Sequence, residues 1–180
     1  MNPQEGHLLN LARRALDASV KGQEQPKSES SEKRGVFVTL KKDGELRGCI
    51  GFPEPVFPLE EAICKAAGSA ALEDPRFPPV TPEELDSITI ELSILTLPQE
   101  MTCNPQERPQ KVRVGTDGLI AENPRGRGLL LPQVPEEFGW DATEFLGHTC
   151  LKAGLPKDAW KDSETKIFTF QAKVISESEK

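Results

Sequence analysis

The chain has 180 residues and a formal net charge of −7, a length that suits one ordinary domain or two small lobes. It has no run of about 18 apolar residues, which argues against a membrane-spanning helix. The polar first residues lack the basic start and apolar stretch of a signal peptide, so we predict a cytoplasmic protein. The negative charge makes nucleic acid the weakest candidate partner, because such binding relies on neutralising phosphates.

The four cysteines, Cys49, Cys64, Cys103 and Cys150, are widely spaced. Their spacing shows no disulfide framework, no Cys-x-x-Cys zinc pair and none of the clustering that an iron–sulfur cluster needs. The chain also has only two histidines. We therefore expect free thiols, no metal site and no cofactor.

The first predicted element is a helix that begins at Asn2, where Pro3 and Glu5 complete a capping box, and that ends near Gly22. Residues 22–33 follow, and their only residue that is not polar or glycine is Pro26. Such a segment has nothing to bury that would offset the entropy of ordering it. We predict a mobile loop over 22–33.

A β-hairpin comes next, with strands over 35–41 and 46–50 and a turn at Asp43-Gly44. Residues 59–72 have the apolar spacing of a helix, and Thr81 with Glu84 predicts a capping box on a short helix. The alternation over 87–97 is typical of a strand whose polar face carries Glu91.

In the second half, Asp117-Gly118 predicts another hairpin turn between strands over 111–115 and 119–122. A strand over 128–131 and a helix that begins at Asp141 and ends at Gly154 follow. The alternation over 166–175 predicts one last strand with Phe168, Phe170, Ala172 and Val174 facing inward. Since the strands come as hairpins, we predict an α+β fold with a mostly antiparallel or mixed sheet and helices packed on it.

The candidate site is the turn over residues 46–51, Leu46-Arg47-Gly48-Cys49-Ile50-Gly51. Two glycines beside one small side chain are unusual in a strand. One interpretation is that they open room beside the Cys49 thiol for a ligand, another chain or a reacting group. The other is that a buried cysteine fills a tight corner, as free cysteines often do.

Other polar residues have two interpretations each. Arg47 can bind an anion or pair with a carboxylate such as Glu45. Asp74 and Arg76 flank Pro75, and an ion pair that fixes the loop is favoured over catalysis. Glu91 is a candidate acid or base.

Gln133 follows Pro132 and can hydrogen-bond a ligand or cap a neighbouring backbone. No standard catalytic motif is present, and a cysteine nucleophile usually needs a base, for which the sequence offers only His7 and His148.

From Gly35 onward the chain resembles the AMMECR domain family, also called protein A of the AmmeMemoRadiSam system, and its ending resembles the prokaryotic, especially the archaeal, branch. Besides residues 46–51, the similarity rests on an ordered set of segments: 70–71, 74–78, 90–95, 115–120, 130–134, Trp140 with 145–146, and 150–155 with Trp160.

The resemblance implies one AMMECR-like domain over 1–180, with a larger and a smaller lobe and the cysteine motif near the cleft between them. It also implies the company of a Memo-type protein and a radical S-adenosylmethionine protein. The chain lacks the cysteine triplet of the radical enzyme.

Two functions follow as hypotheses. The first is a binding or substrate-presenting companion of those two proteins. The second is an enzyme with Cys49 at its centre, Gly48 and Gly51 giving access, Arg47 orienting an anionic group, Arg76 and Gln133 binding the ligand, and Glu91 or Asp74 moving protons.

Overall fold

The structure, a computed structural model that describes residues 2–178, contains two units, each with its own four-stranded sheet and its own apolar core. The first unit takes the chain as far as Leu95 and again from Lys173, and the second spans Thr96–Ala172. The strand pairs with a resolved register are antiparallel, and helices accompany both sheets. The predicted α+β class is confirmed.

The first unit has strand order β2-β1-β3-β8. Its elements are α1 (Pro3–Val20), β1 (Val36–Lys42), β2 (Glu45–Phe52), α2 (Leu59–Leu72), a 3₁₀ helix (Pro82–Ser87), β3 (Ile88–Leu95) and β8 (Ala172–Ser176).

Local sequence signals account for most of these bounds. The side chain of Asn2 accepts the Glu5 N–H at 2.9 Å, and Glu5 accepts the Asn2 N–H in return. Asp43 and Gly44 both have positive φ, at 53° and 81°, which is the conformation a tight hairpin requires. The Thr81–Glu84 capping box is also present.

The core of the first unit lies between α1, α2 and one face of the sheet. Successive strand residues point to opposite faces, so Val38, Leu40, Ile90 and Leu92 meet the helices, and their neighbours in sequence point away from them. This alternation decides which side of the sheet each site residue occupies.

The second unit has strand order β4-β7-β5-β6. Its elements are β4 (Gln99–Glu100), α3 (Arg108–Lys111), β5 (Gly118–Asn123), β6 (Gly126–Leu130), α4 (Val134–Phe138), α5 (Ala142–Lys152) and β7 (Lys166–Phe170), with 3₁₀ helices at Pro105–Glu107 and Ala159–Lys161.

The predicted hairpin at Asp117-Gly118 is wrong. The residues before it form α3 and a turn, and β5 pairs instead with β6 around a turn at residues 124–125. Asp117 is buried, and its carboxylate accepts hydrogen bonds from both the backbone N–H and the guanidinium of Arg113. A side chain engaged in this way closes the turn before β5, so the Asp-Gly pair begins a strand.

The single last strand is also wrong, because the chain changes sheet at Gln171. Residues before it form β7 in the second sheet, and residues after it form β8 beside β3. Gln171 exchanges hydrogen bonds with Thr96 at 2.8 Å. The change shifts the buried set to Ile167, Phe170 and Ile175, and it leaves Val174 half exposed.

Residues 22–33 form no helix or strand beyond an isolated bridge from Lys33 to Pro58. The segment is nevertheless hydrogen-bonded to the first unit. Gln25 donates to the Ala15 carbonyl, and the buried Glu60 carboxylate accepts the N–H groups of Glu29 and Ser30. The mobility of the segment stays a prediction, and these hydrogen bonds are the contacts that would restrain it. No helix among residues 2–178 is long and apolar enough to cross a membrane.

Candidate functional site

The cysteine motif lies on β2, an edge strand of the first sheet. Cys49 is opposite Thr39 on β1, and Thr39 is opposite Glu91 on β3. These three side chains alternate with the buried core residues, so they share the face that points away from α1 and α2. With Lys41 they make a polar row that we call the Cys49 surface.

The Cys49 thiol is half-buried, and its Sγ atom lies 3.1 Å from the Thr39 hydroxyl oxygen. Either group can donate in this contact. The thiol is therefore neither sealed in the apolar core nor free in solvent. It is held at one position on the Cys49 surface by a neutral hydroxyl.

The two glycines of the motif do not open space for a ligand, which corrects that interpretation. A Cβ atom at Gly48 would overlap the Ala70 carbonyl of α2, and one at Gly51 would overlap the Val36 carbonyl and the Phe37 ring. Gly48 is required because helix and strand backbones approach closely there. Both glycines have a packing role.

Asp74 and Arg76 hold the backbone of Cys49. The buried Asp74 carboxylate accepts the Cys49 N–H at 2.9 Å and forms an ion pair with Arg76 at 2.7 Å, and Arg76 donates to the Cys49 carbonyl at 3.4 Å. Hydrogen bonds from the Arg76 side chain hold the pKa of Asp74 well below its usual range. Asp74 is thus ionised at neutral pH, which suits an anchor and not a proton-transfer group.

Arg47 pairs with Glu84 and not with Glu45. Its guanidinium donates to both Glu84 carboxylate oxygens, at 3.1 and 2.9 Å, and to the Pro78 carbonyl at 2.9 Å. These hydrogen bonds to Arg47 are the main cause that lowers the pKa of Glu84 to about 2. A bidentate pair with little exposure fixes the loop before Pro82 and leaves Arg47 poorly placed to bind an anionic ligand.

Glu91 forms an ion pair with Lys41 at 2.9 Å, and about a quarter of its side chain is exposed. Cys49 and Glu91 stand on opposite sides of Thr39, two strands apart. Since neighbouring strands lie about 4.8 Å apart, this separation is too large for a direct hydrogen bond between the two side chains. Glu91 belongs to the Cys49 surface, but it is engaged by a cation and does not contact the thiol.

The remaining candidate residues lie elsewhere. Gln133 is exposed in the second unit at the start of α4, and its side chain makes no cap for that helix. His7 pairs with Glu60 at the helical side of the first unit, and His148 stacks on Trp140 in the second. Within residues 2–178 no cluster of three potential metal ligands is found.

Sequence reasoning missed three participants: Thr39, Lys41 and Glu84. Thr39 and Lys41 alternate with buried residues in β1, but pairing the predicted hairpin residue by residue from Asp43-Gly44 places Thr39 opposite Gly48. The register shift between Leu40 and Lys41, which no local signal reveals, brings Thr39 opposite Cys49. For Glu84 the sequence predicts only a role in the capping box with Thr81. Nothing in the local pattern reveals that its second role is to bind Arg47.

Comparison with known proteins gives a consistent result. The AMMECR1 family model matches residues 9–175. A protein of Thermococcus gammatolerans is 52% identical over 181 residues, which cover 94% of this chain and 88% of the relative. A Methanopyrus kandleri protein is 52% identical over 98% of this chain and 90% of its own length.

Among solved structures, the crystal structure of an uncharacterized protein from Pyrococcus horikoshii is similar, with a TM-score of 0.80 and 48% identity. The similarity covers 99% of this chain and 94% of that one.

Proposed function

We propose that this chain, which belongs to the AMMECR1 family, is a binding or substrate-presenting subunit that works with a Memo-type protein and a radical S-adenosylmethionine protein. The Cys49 surface is the part of the chain that makes this contact. The observation that carries the proposal is the environment of the thiol: a neutral hydroxyl contacts it, and each nearby charge is already paired.

A nucleophilic cysteine usually needs a base that can take its proton. The two histidines are engaged elsewhere, and Glu91 is bound by Lys41 across the strand from the thiol. In contrast, the arrangement suits recognition. Cys49, Thr39 and the Glu91–Lys41 pair stand in fixed register on a sheet, and a rigid surface loses little entropy when it binds.

The experiment is co-purification of the chain with the Memo-type and radical S-adenosylmethionine proteins of the same organism, followed by titration calorimetry. We expect a complex at micromolar concentrations, and we expect Cys49→Ser combined with Glu91→Gln to weaken it about tenfold or more. The matched control is Cys103→Ser with Glu100→Gln, which changes a half-buried thiol and an exposed ion pair in the second unit. Absence of any complex, or equal loss in the control, contradicts the proposal.

A second candidate is an enzyme with Cys49 as nucleophile, and the observation that favours it is the partial exposure of a thiol on a polar face. This candidate requires turnover or a covalent adduct on the isolated chain. Intact-mass measurement after incubation with small-molecule extract separates the two. An adduct that Cys49→Ser abolishes supports the enzyme, and an unmodified chain that still binds its partners supports the presenting subunit.

A further inference from the structure

Three aromatic rings are stacked in the second unit. The Phe138 and Trp140 rings have centroids 4.9 Å apart and planes inclined by 15°, and the Trp140 and His148 rings are 3.8 Å apart and inclined by 1°. We call Phe138, Trp140 and His148 the aromatic stack. It shares no residue with the Cys49 surface.

The backbone explains how Phe138 and Trp140 meet. Helix α4 ends at Phe138, and Gly139 follows with φ of 66°, a left-handed conformation that suits glycine. The Trp140 N–H then bonds back to the Pro135 carbonyl at 2.8 Å. This reversal turns the Trp140 ring toward Phe138 on one side, and α5 supplies His148 on the other.

The stack is covered on one end only. Trp140 and His148 are half-buried, and Trp140 packs against the core of the second unit, whereas Phe138 is 65% exposed. Large exposed aromatic rings that are held in place by a packed neighbour are typical of contact surfaces, because the ring is already ordered before binding.

The segment that carries the stack is acidic, and the basic residues nearest to it are Lys152, which follows the segment, and Lys157, which packs on Gly147. Residues 134–151 contain Glu136, Glu137, Asp141 and Glu144 and no lysine or arginine. All four carboxylates are exposed. An aromatic face among carboxylates attracts a cation twice, through the ring quadrupole and through the acidic charges.

We propose that the aromatic stack is a docking surface for an arginine- or lysine-rich segment of a partner protein, with a guanidinium or ammonium group seated on the Phe138 face. Arginine suits this position best, since its planar group stacks on aromatic rings and is weakly hydrated. Nucleic-acid bases also stack on such rings, but the four carboxylates repel their phosphates.

The test uses an acetylated peptide of four Arg-Gly repeats as the probe. The chain has two tryptophans, so a Trp160→Phe chain reports Trp140 fluorescence alone. Calorimetry on the unaltered chain checks the affinity independently. We expect saturable binding that weakens about tenfold in Phe138→Ala and in the double variant Glu136→Gln, Glu137→Gln. A Lys-Gly peptide should bind more weakly than the Arg-Gly peptide.

Two controls match these changes. Leu97→Ala removes another exposed apolar side chain of the second unit, and Glu83→Gln with Asp86→Asn removes two exposed carboxylates of the first. Unchanged affinity in these controls supports the proposal. Equal loss in the charge control, full binding by Phe138→Ala, or quenching of Trp140 by a single-stranded RNA oligomer and not by the peptide overturns it.

Discussion

The carboxylate of Asp74 accepts the backbone N–H of Cys49 at 2.9 Å. A side chain thus occupies a position on the outer edge of β2 where a further strand would bond. Arg76 extends the contact to the Cys49 carbonyl. Open strand edges favour unwanted pairing between chains, so this contact both protects the edge and holds the residue that carries the thiol.

We predict that Asp74→Asn destabilises the chain by about 2 kcal/mol, the scale of hydrogen bonds to buried charged groups. The amide removes the charge that pairs with Arg76 and leaves fewer acceptors for the Cys49 N–H. Urea denaturation measures the effect. Asp86→Asn, an exposed position in the same unit, should change stability by less than about 0.5 kcal/mol. Similar stability for the two variants would show that the contacts of Asp74 with Cys49 and Arg76 contribute nothing to folding.

Stability should fall as the pH drops from about 4.5 towards 2, the range between the usual glutamate pKa and the folded-state pKa of Glu84, which is about 2. The pKa of Glu84 is lower in the folded chain, so its contribution is complete above the unfolded value and is lost as protons bind. Asp74, whose pKa is also lowered, acts in the same direction.

Urea midpoints measured between pH 7 and pH 2.5 test this dependence. Glu84→Gln should be less stable at pH 7 and should show a shallower loss of stability on acidification, because the titrating group is absent. Glu45→Gln provides a comparison at an exposed glutamate of the same unit. A Glu84→Gln profile as steep as that of the unaltered chain would assign the acid sensitivity to other groups.

Cys49 and Cys103 should react with a disulfide reagent in the folded state, since both residues are only partly buried. Burial raises the pKa of Cys64 and Cys150 to about 11, so these two thiols should react only after unfolding. Titration with Ellman's reagent should show about two early thiols, and Cys49→Ser should remove one while the circular dichroism spectrum is retained. An unchanged early phase in Cys49→Ser would place the thiol out of reach and contradict its role in the Cys49 surface.

Limited proteolysis should cut first within residues 22–33, because the segment is polar and lacks regular structure. Glu60 accepts two of its backbone N–H groups, so Glu60→Gln should increase the cleavage rate several-fold. Glu61→Gln is the control, because Glu61 lies next to Glu60 in sequence but its carboxylate pairs with Lys65. Resistance to protease in all three chains would show that the segment is not mobile.

The sequence by itself determined the elements whose signals lie within a few residues. These are the Asn2–Glu5 capping box, the Asp43-Gly44 turn and the bounds of α2 at residues 59–72. Each depends on backbone geometry and hydrogen bonds within a few residues, so it does not require the tertiary fold. The motif around Cys49 was likewise found from its composition, and the family from an ordered set of such segments.

Only the tertiary structure decided what the motif residues do. Arg47 meets Glu84 across 37 positions and Cys49 meets Asp74 across 25, and a local pattern carries no information on pairs so distant in the chain. Gly48 has the same explanation, because the Ala70 carbonyl that requires it belongs to another element. The chain changes sheet at Gln171, which is hydrogen-bonded to Thr96. The period-2 alternation of residues 166–175 predicts one strand, because it carries no information on which sheet each half joins.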